Sequence, residues 1–253
     1  MKKFAIVLLS IQVLTLSCKK EEKKPGVTQG GCLAEAEASN SSDSCSSSFF
    51  NQNCELNYIG SKGLSESSKS KFVDFCFPQD SAILFEDSFG NKMECFISEK
   101  KYSKGTYSII SSPSSPQCEH FCLENEEAYV VFKTDKFSLR IVLSTGLNPG
   151  VGFSQNPQKF IESSFTIYAM KENSRQLVFD LPIENFKDEQ IVPDTTNIRY
   201  HQNIQLNNSN YVELYSNENL NVAGLIRKEK VYFHPQNGLV AVRDSLGTLW
   251  TRI

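Results

Sequence analysis

Lys230-Val231-Tyr232-Phe233-His234-Pro235-Gln236-Asn237-Gly238-Leu239-Val240-Ala241-Val242-Arg243-Asp244-Ser245-Leu246-Gly247-Thr248-Leu249-Trp250-Thr251-Arg252 reads as three strands and two turns. The strands are residues 230–233, 239–243 and 248–252, and the turns are His234-Pro235-Gln236-Asn237-Gly238 and Asp244-Ser245-Leu246-Gly247. If Arg243 faces Leu249 across the second turn, Val242 faces Trp250, and the period of two puts Val240, Val242 and Trp250 on the core face. The Asp-Ser-x-Gly turn has a double at Asp87-Ser88-Phe89-Gly90, between apolar-rich runs at residues 82–86 and 92–98. Each reads as a hairpin turn with glycine at the left-handed position. Pairing Glu86 with Lys92 sets Phe85 opposite Met93 and Ile83 opposite Cys95. Ile83, Phe85, Met93, Cys95 and Ile97 then face the core, and Glu86, Lys92 and Glu94 face water.

Working outward, further hairpins fall at short intervals: 128–133 with 137–143, 165–170 with 176–181, and 200–206 with 211–215. Residues 184–199 are polar, contain Pro193 and read as a long connection. Convincing helical periodicity is almost wholly lacking from the folded region. The fold class expected is all-β, an antiparallel meander of hairpins forming a curled sheet, a sandwich or a barrel. The Gly146–Gly152 loop lacks the lysine and Ser/Thr of a phosphate-cradling loop and reads as a wide turn.

The N-terminus has a different logic. Lys2 and Lys3 precede an apolar run at residues 4–16, followed by Ser17 and Cys18, the order of a secretion signal. The run is short of the roughly 20 apolar residues that a spanning helix needs. Residues 1–17 are therefore expected to be a signal peptide. Residues 18–48 are expected to be a lipid anchor followed by a flexible stalk, since seven of the ten residues from Ser39 to Ser48 are serine and bury too little apolar surface to offset chain entropy. The single β-rich domain is expected over 49–253, its dense strand pattern beginning near Phe72.

Leu14-Thr15-Leu16-Ser17-Cys18 resembles the lipobox of bacterial lipoprotein precursors, although Thr15 and Leu16 depart from the usual residues. The resemblance implies that Cys18 becomes the lipidated N-terminus and holds the protein to a membrane. Lys19-Lys20-Glu21-Glu22-Lys23-Lys24 is similar to the charged leader of Bacteroidetes lipoproteins, and the C-terminal stretch quoted above resembles the closing meander of uncharacterised members of that group. What this implies is location: the bacterial outer membrane, with lipid anchoring and surface display. It implies no activity. Asp80-Ser81-Ala82, Asp194-Thr195-Thr196 and Asp244-Ser245-Leu246 resemble the O-glycosylation motif of exported proteins of the same group, and Ser245, in an expected turn, is the best placed.

With Cys18 assigned to lipid, seven of the eight cysteines remain: Cys32, Cys45, Cys54, Cys76, Cys95, Cys118 and Cys122. Export puts them in an oxidising compartment where pairing is the default, and seven allow three bridges and one leftover thiol. Spacing does not choose the pairs. Cys32 and Cys45 can close a loop within the stalk, while Cys95, on the core face, can reach Cys76 or Cys118. Cys118-Glu119-His120-Phe121-Cys122 is the one cluster with metal-ligand residue types, but it lacks the second ligand pair of a zinc site and the two-residue spacing of a redox motif. Disulfide partners are the expected role of Cys118 and Cys122, and no metal or other cofactor is expected.

The formal charge of −3 becomes −5 once Lys2 and Lys3 are removed. A mildly acidic chain without a basic cluster excludes nucleic acid as a partner. A serine hydrolase would need a G-x-S-x-G turn, which does not occur, and the acidic pair Asp188-Glu189 lies in a polar loop. The chain is therefore expected not to be an enzyme. Two functions are expected instead: an envelope lipoprotein that meets another envelope protein or a glycan through its β surface, or a carrier of a small apolar ligand in a barrel-like cavity. The 18 phenylalanines suit either a lined cavity or a filled core.

Overall fold

The computed structural model describes residues 32–40, 45, 54–111, 118–148, 153–171, 174–183, 198–217, 221–222, 225–226 and 230–253. The signal, Cys18, the charged leader and the 184–197 connection lie outside them. The strands are β1 (Glu55–Lys62), β2 (Ala82–Glu86), β3 (Lys92–Ser111), β4 (Glu119–Lys133), β5 (Ser138–Leu147), β6 (Ile161–Lys171), β7 (Ser174–Pro182), β8 (Ile198–Leu206), β9 (Ser209–Asn217), β10 (Asn221–Val222), β11 (Leu225–Ile226), β12 (Lys230–His234), β13 (Gly238–Arg243) and β14 (Leu249–Arg252). The α-helix among the described residues, α1 (Glu66–Ser70), is capped by Ser65, whose hydroxyl accepts from Ser68 N at 3.0 Å.

The fold is all-β, as expected. The main sheet runs β7-β6-β5-β4-β3-β2-β14-β13-β12-β9-β8, with β10 and β11 paired separately. Two meanders therefore meet in mid-sheet: β2 to β7 run outward in one direction, and β8 to β14 return so that the last strand lies against β2, Thr251 opposite Glu86 and Arg252 opposite Phe85. The local registers follow the sequence reading, with Glu86 opposite Lys92, Phe85 opposite Met93, Ile83 opposite Cys95, and Val242 opposite Trp250.

Every strand from β2 to β9 and from β12 to β14 sends side chains into one buried cluster. The sheet is thus curled around a single core. Among the described residues no ladder joins the edge strands β7 and β8, so the curl is open and not a closed barrel. Six phenylalanines, Phe72, Phe85, Phe121, Phe132, Phe165 and Phe233, are fully buried. Three of them stack through the interior: Phe165 meets the Phe72 ring at 5.5 Å and the Phe233 ring at 5.0 Å. Phenylalanine fills the middle of the curl rather than lining a void.

One end of the curl is plugged by the chain that precedes β2. Leu33, Leu64, Phe72 and Phe75 join the core, Phe72 just ahead of a 3-10 turn at Val73–Cys76 and Phe75 within it. Lys100 Nζ donates to Phe75 O at 2.7 Å and Phe77 O at 3.3 Å, holding the plug against β3. Asp74, wholly buried, accepts from Leu239 N at 2.9 Å and Arg252 Nη1 at 3.2 Å, tying it to β13 and β14.

Several expectations are corrected. Cys95 is buried on the core face but is a free thiol, bridged neither to Cys76 nor to Cys118. The bridges are Cys32–Cys76, Cys45–Cys122 and Cys54–Cys118, so Cys32 and Cys45 do not close a loop on each other. The described part of the stalk is accordingly docked: residues 32–36 form a turn, Leu33 is wholly buried, and Ser39 donates from N and Oγ to Tyr102 O at 3.0 and 3.1 Å. Strand structure begins at β1, ahead of Phe72, and β1 pairs in parallel with β4, where an all-antiparallel sheet was expected.

Val240 does not share the Val242 face. The β12–β13 register slips between Tyr232 and Phe233, which are opposite Ala241 and Leu239, leaving Val240 as the extra residue of a bulge. Leu239 and Val242 stay in the main core, while Val240 and Ala241 turn to the outer face and are buried there with Leu206, Leu214 and Tyr232. The tip of the β8–β9 hairpin covers that face, with Asn207 Nδ2 near Glu86 O at 3.2 Å, Thr251 Oγ1 at 3.1 Å and Leu249 O at 3.4 Å.

Candidate ligand pocket at the turn end

The end opposite the plug gathers the hairpin turns. The registers of β2 with β3, β14 with β2, and β3 with β4 bring the Asp87, Thr134 and Asp244 turns to the same rim. Asp87 Oδ1 accepts from Phe89 N at 2.8 Å and Asn91 N at 2.9 Å, and Oδ2 accepts from Asn91 Nδ2 at 2.8 Å. These bonds, first that from the Asn91 side chain, hold the Asp87 carboxyl below its ordinary pKa. Asp244 repeats the device, Oδ1 accepting from Leu246 N and Thr248 N at 2.9 Å each, and Oδ2 from Trp250 Nε1 at 3.0 Å. Gly90 and Gly247 have φ of 83° and 92°, the left-handed conformation the sequence called for.

Both turns spend their aspartate inward and push the third residue outward. Phe89 is 86% exposed and Leu246 82% exposed, on hairpins that lie side by side. The third turn is held by Thr134, whose hydroxyl accepts from Lys136 N and Phe137 N at 2.9 Å each, and Phe137 folds back against Phe85 with ring centres 6.3 Å apart.

Inside this rim lies a pocket of about 190 Å³. Its wall is mostly apolar: Phe137 and Leu139 from β5 and its turn, Ala169 and Met170 from β6, Val178 from β7, Val231 from β12 and Val242 from β13. Lys136, Ser138, Arg243, Asp244 and Ser245 complete it. Among the described residues Asp244 is the one acid in the wall, and its oxygens are taken by the donors just named. Lys136 carries a 3.3 Å ion pair to the exposed Asp135, and Arg243 Nη1 donates to Gly247 O at 2.8 Å, leaving both cations at the mouth. The arrangement can hold a short apolar group beneath Lys136 and Arg243.

The residues singled out from sequence fall elsewhere. Cys76 is in the plug, while Cys118 and Cys122 are on the β4 arm, each spent in a disulfide and so withdrawn from metal ligation. His120 between them is buried, which lowers its pKa. Among the described residues no group of three or more metal-ligating side chains occurs. His234 Nδ1 accepts from Gln236 N and Asn237 N and shapes the β12–β13 turn. His201 Nε2 lies 2.8 Å from Ser216 Oγ, a pair the sequence did not show, but Ser216 is wholly buried and the contact joins β8 to β9. Ser245 is exposed on the pocket rim, Ser81 donates to Pro78 O at 2.6 Å, and Asp194-Thr195 lies outside the described residues. The pocket itself was not legible, because it joins five strands distant in sequence; the turn motifs that build its rim were.

No protein-family model, curated protein or solved structure matches the chain. No helix among the described residues is long and apolar enough to cross a membrane.

Proposed function

We propose that the protein is a lipoprotein of the bacterial cell envelope, held to the outer membrane by lipid on Cys18 and acting as a binding module rather than a catalyst. The observation that carries this reading is the cysteine accounting. Six cysteines form three bridges that tie Cys32 to the plug and Cys45 and Cys54 to the β4 arm, one is buried, and the eighth follows the apolar run of the signal sequence. Bridges of this kind form and persist in an exported chain, and a cysteine directly after the signal is then free for acylation. The binding role draws on the rim, where Phe89 and Leu246 stand exposed on neighbouring hairpins at the end away from the plug that Cys32 anchors. Exposed apolar tips of this size suit contact with an envelope protein or a glycan. A second reading, a carrier of a small apolar ligand, is favoured by the pocket beneath those tips.

The test is metabolic labelling with an alkyne-tagged fatty acid in an exporting host, followed by cell fractionation. The wild-type chain is expected in the membrane fraction with label, and Cys18→Ser unlabelled and in the soluble fraction. Equal partition of the two, with no label on either, would overturn the anchor.

A further inference from the structure

We propose that the turn-end pocket binds a small monoanionic amphiphile, a short acyl chain of about six carbons bearing a carboxylate, with the chain in the apolar well and the head at Lys136 and Arg243. The inference deepens the carrier reading and rests on it. Three observations converge. At about 190 Å³ the well slightly exceeds the ~150 Å³ apolar cavity that takes a benzene ring and falls below the ~300 Å³ of drug-sized sites. A full-length fatty acid has nowhere to go, because Phe165, Phe233 and Phe72 fill the curl below. The rim chooses the sign of the head. Lys136 and Arg243 both stand at the mouth, Lys136 beside the exposed Asp135, while Asp244, the acid in the described wall, turns its oxygens to two backbone N–H groups and the Trp250 indole and away from the well. A carboxylate head can displace the exposed Asp135 from Lys136 and meet Arg243 as well, a neutral head gains less there, and a cationic head would be repelled by both.

Trp250 is the single tryptophan of the chain. Its indole N–H donates to Asp244 in the pocket wall, so its lone indole NMR signal reports occupancy. The experiment titrates butanoate, hexanoate, octanoate and decanoate, with hexylammonium as the cationic control, into the full chain carrying Cys18→Ser, exported with disulfides intact. The indole signal is expected to shift saturably. Affinity should tighten by about fourfold per methylene from butanoate to hexanoate, as burial of each CH₂ dictates, and then level off once the well is full. Hexylammonium should not saturate the shift. Lys136→Glu, at a half-exposed turn position, should weaken hexanoate by roughly two- to fivefold, and Ala169→Leu, which fills the well, should abolish the gain per methylene. Absence of a saturable shift, equal response to hexanoate and hexylammonium, or affinity that keeps rising through decanoate would overturn the proposal. The Cys18 labelling result does not depend on the pocket, so failure of either is read separately.

Discussion

At the scale of single residues, the most consequential side chain is Asp74. Its carboxylate packs beneath Gly238, where a Cβ would stand 2.2 Å from both oxygens, so this turn position accepts only glycine while the plug is seated. Burial pushes the Asp74 pKa up to about 6, with the Arg252 guanidinium and the Leu239 N–H pulling the other way. A carboxyl raised above its unfolded value of 3.8 contributes stability that is complete below about pH 4 and is lost as pH rises through about 6. Across that window the loss is on the order of 3 kcal/mol. Asp74→Asn keeps an acceptor for Leu239 and removes the titration. Urea unfolding at pH 4.5 and 7.5 should show a smaller fall in stability with pH in the variant than in the wild type. The burial-lowered His120 and His234 act in the opposite direction, and the comparison cancels them. An identical pH slope in both proteins would remove Asp74 as its source.

At the scale of elements, what was legible was local. The Asp87 and Asp244 hairpins could be read to the partner because five turn residues and a period of two determine them, and both registers hold in the fold. Val240 shows where that reasoning stops. A bulge depends on what covers the outer face, and the cover is the β8–β9 tip, more than 30 residues away in sequence. Asn207 secures that tip, combining a left-handed φ of 49° with an amide that reaches Glu86, Leu249 and Thr251. Asn207→Ala should cost about 1–3 kcal/mol in urea unfolding, from lost buried hydrogen bonds and the strained φ, and Asn207→Gly less, since glycine relieves the φ. Equal stability of all three proteins would show that the tip is held by apolar packing alone.

At the scale of the whole molecule, two open meanders are held in a curl by their meeting at β2 and β14, by a phenylalanine-filled core, and by three bridges that fasten the N-terminal segment to the plug and the β4 arm. The sequence showed that the cysteines cluster before residue 123 and that pairing was due, but not the partners, because separations of 44, 64 and 77 residues are set by the curl and by no local spacing. Each bridge removes freedom from the unfolded chain worth about 2–5 kcal/mol. Cys32–Cys76 fastens the plug itself, at the end away from the pocket. The most direct measurement of this account is disulfide mapping by mass spectrometry on the exported full chain, alkylated before and after denaturation. The account predicts Cys32–Cys76, Cys45–Cys122 and Cys54–Cys118, with Cys95 modified only after unfolding; a bridge containing Cys95, or alkylation of the other six in the folded protein, would contradict it.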